Sequence, residues 1–208
     1  MKTASAATAK RNHAPAVLST LQRDARIREW MGLFHRATGL AIRLVSPDLQ
    51  LSEMNASGHE HRFCHEAGVR GSEVCCQTRQ ALVQKLRGNM APQMVVCGTG
   101  LAEVAVPLVV DGRHLATFLV GQVFGEKPDA ASWARLRALM GNGTDPKRLA
   151  QLRTAYLNGQ VLPKDTMNPL IHMVSLHGRR LMDGLKPAPA VAQPKAKRPA
   201  KPVRRAKK

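Results

Sequence analysis

The stretch Val95–Phe124, VVCGTGLAEVAVPLVVDGRHLATFLVGQVF, decides how this chain is read. It holds two long apolar runs joined by Asp111-Gly112, a dipeptide that readily supplies the positive φ angles of a two-residue hairpin turn. Valine, leucine, threonine and phenylalanine dominate both runs, which suits pleated strands. By strict alternation Ala102, Val104, Val106, Leu108 and Val110 share one face of the first run. On the second run His114, Ala116, Phe118, Val120, Gln122 and Phe124 share a face. The opposite faces are mostly apolar too. A hairpin apolar on both sides is either covered on both or lines a cavity with one. Its polar residues, Glu103, His114, Thr117 and Gln122, are therefore the ones that need a reason.

Working outward, Val17–Ala37 has apolar residues at helical spacing and Gly39 supplies a stop. Leu40–Val45 and Leu49–Met54 read as short strands around the turn Ser46-Pro47-Asp48. Ser72 is placed to cap a helix through Leu86, ended by Gly88-Asn89. Beyond the hairpin, Asp129 caps a helix to Met140. Asp145-Pro146 opens another to about Leu157, and Asp165 begins the last, which ends near Gly184. The expected order is α-β-β-α-β-β-β-α-α-α. This is an α+β fold, with a mainly antiparallel sheet flanked by helices and a helical C-terminal end.

Charge is unevenly placed along the 208 residues. The formal net charge is +18, and nine Lys/Arg in Lys186–Lys208 plus three in Met1–Ala16 face no acid in either segment. The chain thus divides into a disordered arm (1–16), a folded domain (17–185) and a disordered Lys/Arg/Pro-rich tail (186–208). No leader with an apolar core and no membrane-length apolar run is visible, so a cytoplasmic protein without membrane insertion is expected.

RFCHEA, a helix opening with VCC, and the Val95–Phe124 stretch together resemble the PocR sensory domain. That family's pattern runs through a Phe-Cys, a cysteine at a helix start, a Cys-His-Ala-Gly-Leu turn, a Val-Pro hairpin and a Gly-Gln-Val close. ATGLAIRLVSPD fits the opening of such a domain, and the similarity covers roughly Trp30–Phe124. The resemblance implies a PAS-like sensor fold that holds a small molecule between sheet and helices, commonly attached to transcription regulators or sensor kinases. Diols are among the ligands suggested for the family. Matching positions are Cys64, Cys75 or Cys76, Cys97, Gly100, Leu101, Pro107 and Gln122; Glu103 and Phe118 join them as ligand-facing candidates. The chain departs from the pattern at Gly98, where histidine is usual, at Arg79, where aspartate is usual, and at Val120, where glycine is usual.

Cys64, Cys75, Cys76 and Cys97, with the histidines of HEHRFCH, are also ligand types for zinc or an iron–sulfur cluster. They have no CxxC spacing, so the fold would have to bring them together; buried core thiols are the plainer reading. A thiol redox sensor would need a stabilised thiolate. No Ser-His-Asp, paired-carboxylate or phosphate-loop pattern is present, so the chain reads as non-enzymatic.

The tail KPAPAVAQPKAKRPAKPVRRAKK interleaves its cations with five prolines and carries no aromatic residue. Lys195, Lys197, Arg198, Lys201, Arg204, Arg205, Lys207 and Lys208 are suited to DNA or RNA phosphates without base preference. The leading expectation is a sensory domain for a small, partly apolar ligand, with a nucleic-acid-binding tail; a homodimer is compatible with it. The alternatives are a cysteine-ligated metal or redox sensor, and a nucleic-acid-coating protein with a vestigial pocket.

Overall fold

The computed structural model of the chain describes residues 14–49, 62–67, 73–140 and 144–184. In chain order the elements are α1 (Ala14–Arg23), α2 (Ala25–Thr38), β1 (Ala41–Val45), α3 (Arg62–Glu66) and α4 (Glu73–Gly88). There follow β2 (Gln93–Val96), β3 (Ala102–Val110), β4 (Arg113–Val123), α5 (Ala130–Leu139), α6 (Pro146–Leu157) and α7 (Lys164–Asp183). The fold is the expected α+β. Of the strand expected over Leu49–Met54 only Leu49 is described, buried at a φ of 53° and in no strand; the rest of it and the basic tail fall outside the described residues.

One helical pattern in the sequence becomes two helices. Asp24 takes extended angles and its carboxylate accepts the Arg26 backbone N–H at 2.9 Å, capping α2. An aspartate whose side chain satisfies the next helix's open donors stabilises a break there more than continuation would. Downstream, Asp129 and Asp145 cap α5 and α6 as their sequence positions imply, with Pro146 in the first turn.

The four strands form one antiparallel sheet in the order β1-β4-β3-β2. Asp111 (φ 49°) and Gly112 (φ 72°) make the tight turn between β3 and β4. One face packs beneath the first two helices and α7, burying Ile27 and Phe34 of α2, Ile42, Val106 and Phe118 of the sheet, and Val174 of α7. Gly178 on α7 allows close approach, since a Cβ there would lie 2.6 Å from Leu108. On the opposite face Leu82 and Leu86 of α4 pack on Val45, Ala105 and Leu119. A third apolar cluster joins α3, α5 and α6 to the sheet end through Phe63, Leu101, Phe124, Trp133, Leu152 and Tyr156.

Two irregularities correct the strict alternation. Between Ala102/Glu103 and again between Leu108/Val109 the β3–β4 register slips by one residue. At the first slip Gly121 (φ 128°) and Gln122 (φ 61°) form a β-bulge, so Gln122 drops out of the pairing. Val120 and Val123 consequently lie in the same core cluster although their parity differs, and Phe124 turns into the third cluster. Gln122 therefore does not continue the face of Phe118 and Val120.

The sheet's edges are managed differently. All five residues of β1 are buried although β1 pairs on one side only within the described sheet. At the other edge the Lys85 ammonium donates to the Met94 carbonyl of β2 at 3.0 Å, placing a charge on the open strand.

Candidate functional site

The sheet face beneath α4 carries charge where its neighbours are apolar. On β1, Ile42 and Leu44 enter the helix-covered core, so Arg43 turns to the other side, as Val45 does. Its guanidinium donates to the Glu103 carboxylate at 2.6 Å, and Arg43 is only 3 % exposed. Arg43 aligns with Leu119 and Ala105, whereas Glu103 aligns with Gly121. The ion pair thus reaches across β4 and one row along it, at the position where β4 has no side chain. Thr117, fully buried on β4, shares its hydroxyl with the His114 ring at 2.8 Å. Burial pushes the His114 pKa below its ordinary value.

The thiols meet this polar floor at one corner. Cys64 lies on α3, next in sequence to Phe63, which anchors that short helix in the aromatic cluster. Its thiol is pushed far up, chiefly by burial, then by the neighbouring Cys97, Glu103 and Cys75; Arg43 acts weakly the other way. Burial thus disfavours the Cys64 thiolate. Cys75 lies on the α4 stripe that continues through the buried Arg79, Leu82 and Leu86, which explains why it, rather than Cys76, is felt by Cys64.

Cys97 opens a compact turn. Its carbonyl accepts the Gly100 N–H at 2.8 Å, its own N–H donates to Leu101, and its sulfur lies 2.8 Å from the Thr99 hydroxyl. The buried Tyr156 hydroxyl of α6 donates to the Thr99 carbonyl at 3.0 Å. Gly98 fits because a Cβ there would come 2.6 Å from the Val74 side chain at the start of α4. The departure from histidine at this position thus goes with a turn seated directly against α4.

The structure gathers Cys64, Cys75, Cys97 and Glu103 at this corner. Pro107 pairs with Thr117 further along the sheet, Gly100 and Leu101 close the turn toward the aromatic cluster, and Gln122 sits at the bulge. Phe118 belongs to the opposite core, 5.2 Å from the Trp30 ring. The residue that sequence reasoning missed is Arg43. Its signal was a lone cation in the apolar run AIRLV. Among the described residues no three of His, Cys, Asp and Glu converge closely enough to hold a metal ion. An open cleft of about 590 Å³ lies elsewhere, walled by Gly39, Arg62, Gln151, Thr154, Asn158 and Gln160, and none of the expected ligand residues lines it.

A family model described as the sensory domain found in PocR matches residues 23–182. The chain belongs to the PocR sensory-domain family. No curated protein and no solved structure matches it. The match extends the similarity seen in the motifs through α5, α6 and α7, so these helices are part of the PocR domain. A sensory role follows, and with it a family that is not known as catalytic. Among the described residues, no helix of this PocR domain is long and apolar enough to cross a membrane.

Proposed function

We propose that this PocR domain senses a small, partly apolar molecule held against the Arg43–Glu103 face, and that its tail docks on nucleic acid. The carrying observation is the buried ion pair on the sheet face beneath α4. Two charges withdrawn from water gain little stability over well-packed apolar side chains. They do supply a fixed donor and acceptor in a dry setting, where a ligand's polar group is recognised strongly. Cys64, Cys97, Gly100, Leu101 and Pro107 are the remaining candidate contacts from the family pattern. Native mass spectrometry of protein purified without oxygen tests the reading. A bound small organic molecule, lost in Glu103→Gln, is the expected result; metal or nothing bound would overturn it.

The tail's role is supported by composition alone: nine cations, five prolines and no acid. If about six of those charges meet phosphates, binding falls roughly a thousandfold between 50 and 200 mM salt. Gel shifts comparing the full chain with one ending at Leu185 should show binding only by the former. Equal retardation of both would reject the tail as the nucleic-acid contact. The metal-centre reading gains no support from the described residues.

A further inference from the structure

We infer that the Cys97–Gly100 turn transmits occupancy of the thiol corner to α6 through the hydrogen bond from Tyr156 to Thr99. The turn touches three parts of the fold at once. Its first residue, Cys97, lies beside Cys64 and also packs against the aromatic cluster. Gly98 is wedged on Val74 of α4, leaving no room for even a methyl group in that direction. Thr99 is 5 % exposed, with its hydroxyl on the Cys97 sulfur at 2.8 Å and its carbonyl on the Tyr156 hydroxyl at 3.0 Å.

Gly100 stands at φ 88°, where a Cβ would lie 3.5 Å from both Phe124 and Tyr156. A group pressing on the Cys97 sulfur therefore cannot push the turn toward α4. The displacement passes to Thr99 and so to the side chain of α6 that grips its carbonyl. Packed cores answer such a push by switching contacts rather than by yielding smoothly.

The path continues along the backbone. After α6, Gln160 and Leu162 bracket Phe124, whose N–H donates to the Gln160 carbonyl at 2.8 Å and whose carbonyl accepts the Leu162 N–H at 2.7 Å. Gln160 also reaches back to the Thr38 carbonyl at the end of α2. A shift of α6 is thereby delivered to the start of α7, the helix that precedes the basic tail. The inference rests on the sensory reading only for what naturally fills the corner.

N-ethylmaleimide serves as an occupant that needs no knowledge of the natural ligand. Coupling between two sites is reciprocal, so releasing the α6 end must loosen the thiol end. In Tyr156→Phe, Cys97 is expected to label about tenfold faster than in the parent while Cys76 is unchanged, as befits loss of one buried hydrogen bond. The Cys97 adduct of the parent should raise amide exchange across residues 146–157, and the adduct of Tyr156→Phe should add nothing further. Equal Cys97 rates in a folded Tyr156→Phe protein, or an adduct without effect on α6 in the parent, would overturn the inference.

Should Tyr156→Phe not fold by circular dichroism, Thr99→Val keeps the carbonyl and removes only the contact to sulfur. It is expected to abolish the α6 response, and a response of parental size would count against the path. A protein that carries no natural ligand by mass spectrometry would defeat the sensory reading and leave this labelling result standing.

Discussion

Arg43→Ala is expected to lower stability by about 3–5 kcal/mol, since it leaves the Glu103 carboxylate buried without its guanidinium. For a domain of this size that corresponds to a fall in Tm of roughly 10 °C. The double replacement Arg43→Met with Glu103→Leu should recover most of the loss, because removing both charges also removes their desolvation penalty. Denaturant unfolding of the three proteins measures both effects. The distinguishing result is functional: the double variant should be as stable as the parent, or nearly so, and yet carry no bound molecule in native mass spectra. A double variant that retains its ligand would show that the ion pair is structural and that the sensing surface lies elsewhere.

The second large effect belongs to Gly121→Ala. Gly121 stands at φ 128°, and a Cβ there would lie 2.6 Å from the Ala102 carbonyl oxygen and 3.2 Å from the Glu103 Cα. Both obstacles are backbone of the neighbouring strand, so no side-chain rotation relieves them. Strain and overpacking together should cost about 2–4 kcal/mol. The same substitution at Gly98 meets only a Val74 methyl group, at an ordinary backbone angle, and should cost less. Thermal unfolding of the two variants provides the comparison. If Gly121→Ala loses under about 1 kcal/mol, the bulge tolerates side chains and is not what shapes the Glu103 end of the sheet.

What the sequence disclosed follows from the range of each physical signal. The hairpin was legible because Asp111-Gly112 and its flanking runs are local. The starts of α5 and α6 were legible because Asp129 and Asp145 act on backbone groups three residues away. The bulge was hidden, since alternation counts residues and cannot see one drop out of a ladder; Gly121 was the only clue. Arg43 and Glu103 meet across 60 residues, and no local pattern announces such a contact. The Tyr156–Thr99 bond, 57 residues apart, was equally out of reach. The family pattern singled out Cys64 and Cys97 as positions, but that they lie beside each other only the fold discloses.

The strand order has a consequence for how the chain comes to be made. β1 finds its partner only in β4, with Ala41 opposite Gly121, so nearly eighty residues must emerge before the first strand has anything to bond. Until then a five-residue apolar ribbon waits with both edges bare, at the loop-closure entropy of a long-range contact. Any fragment cut between Val45 and Arg113 would strand that ribbon, whatever helices accompany it. Autonomous sub-fragments of the sensor should therefore not be sought inside residues 41–123, and the sheet can close only once β4 is available.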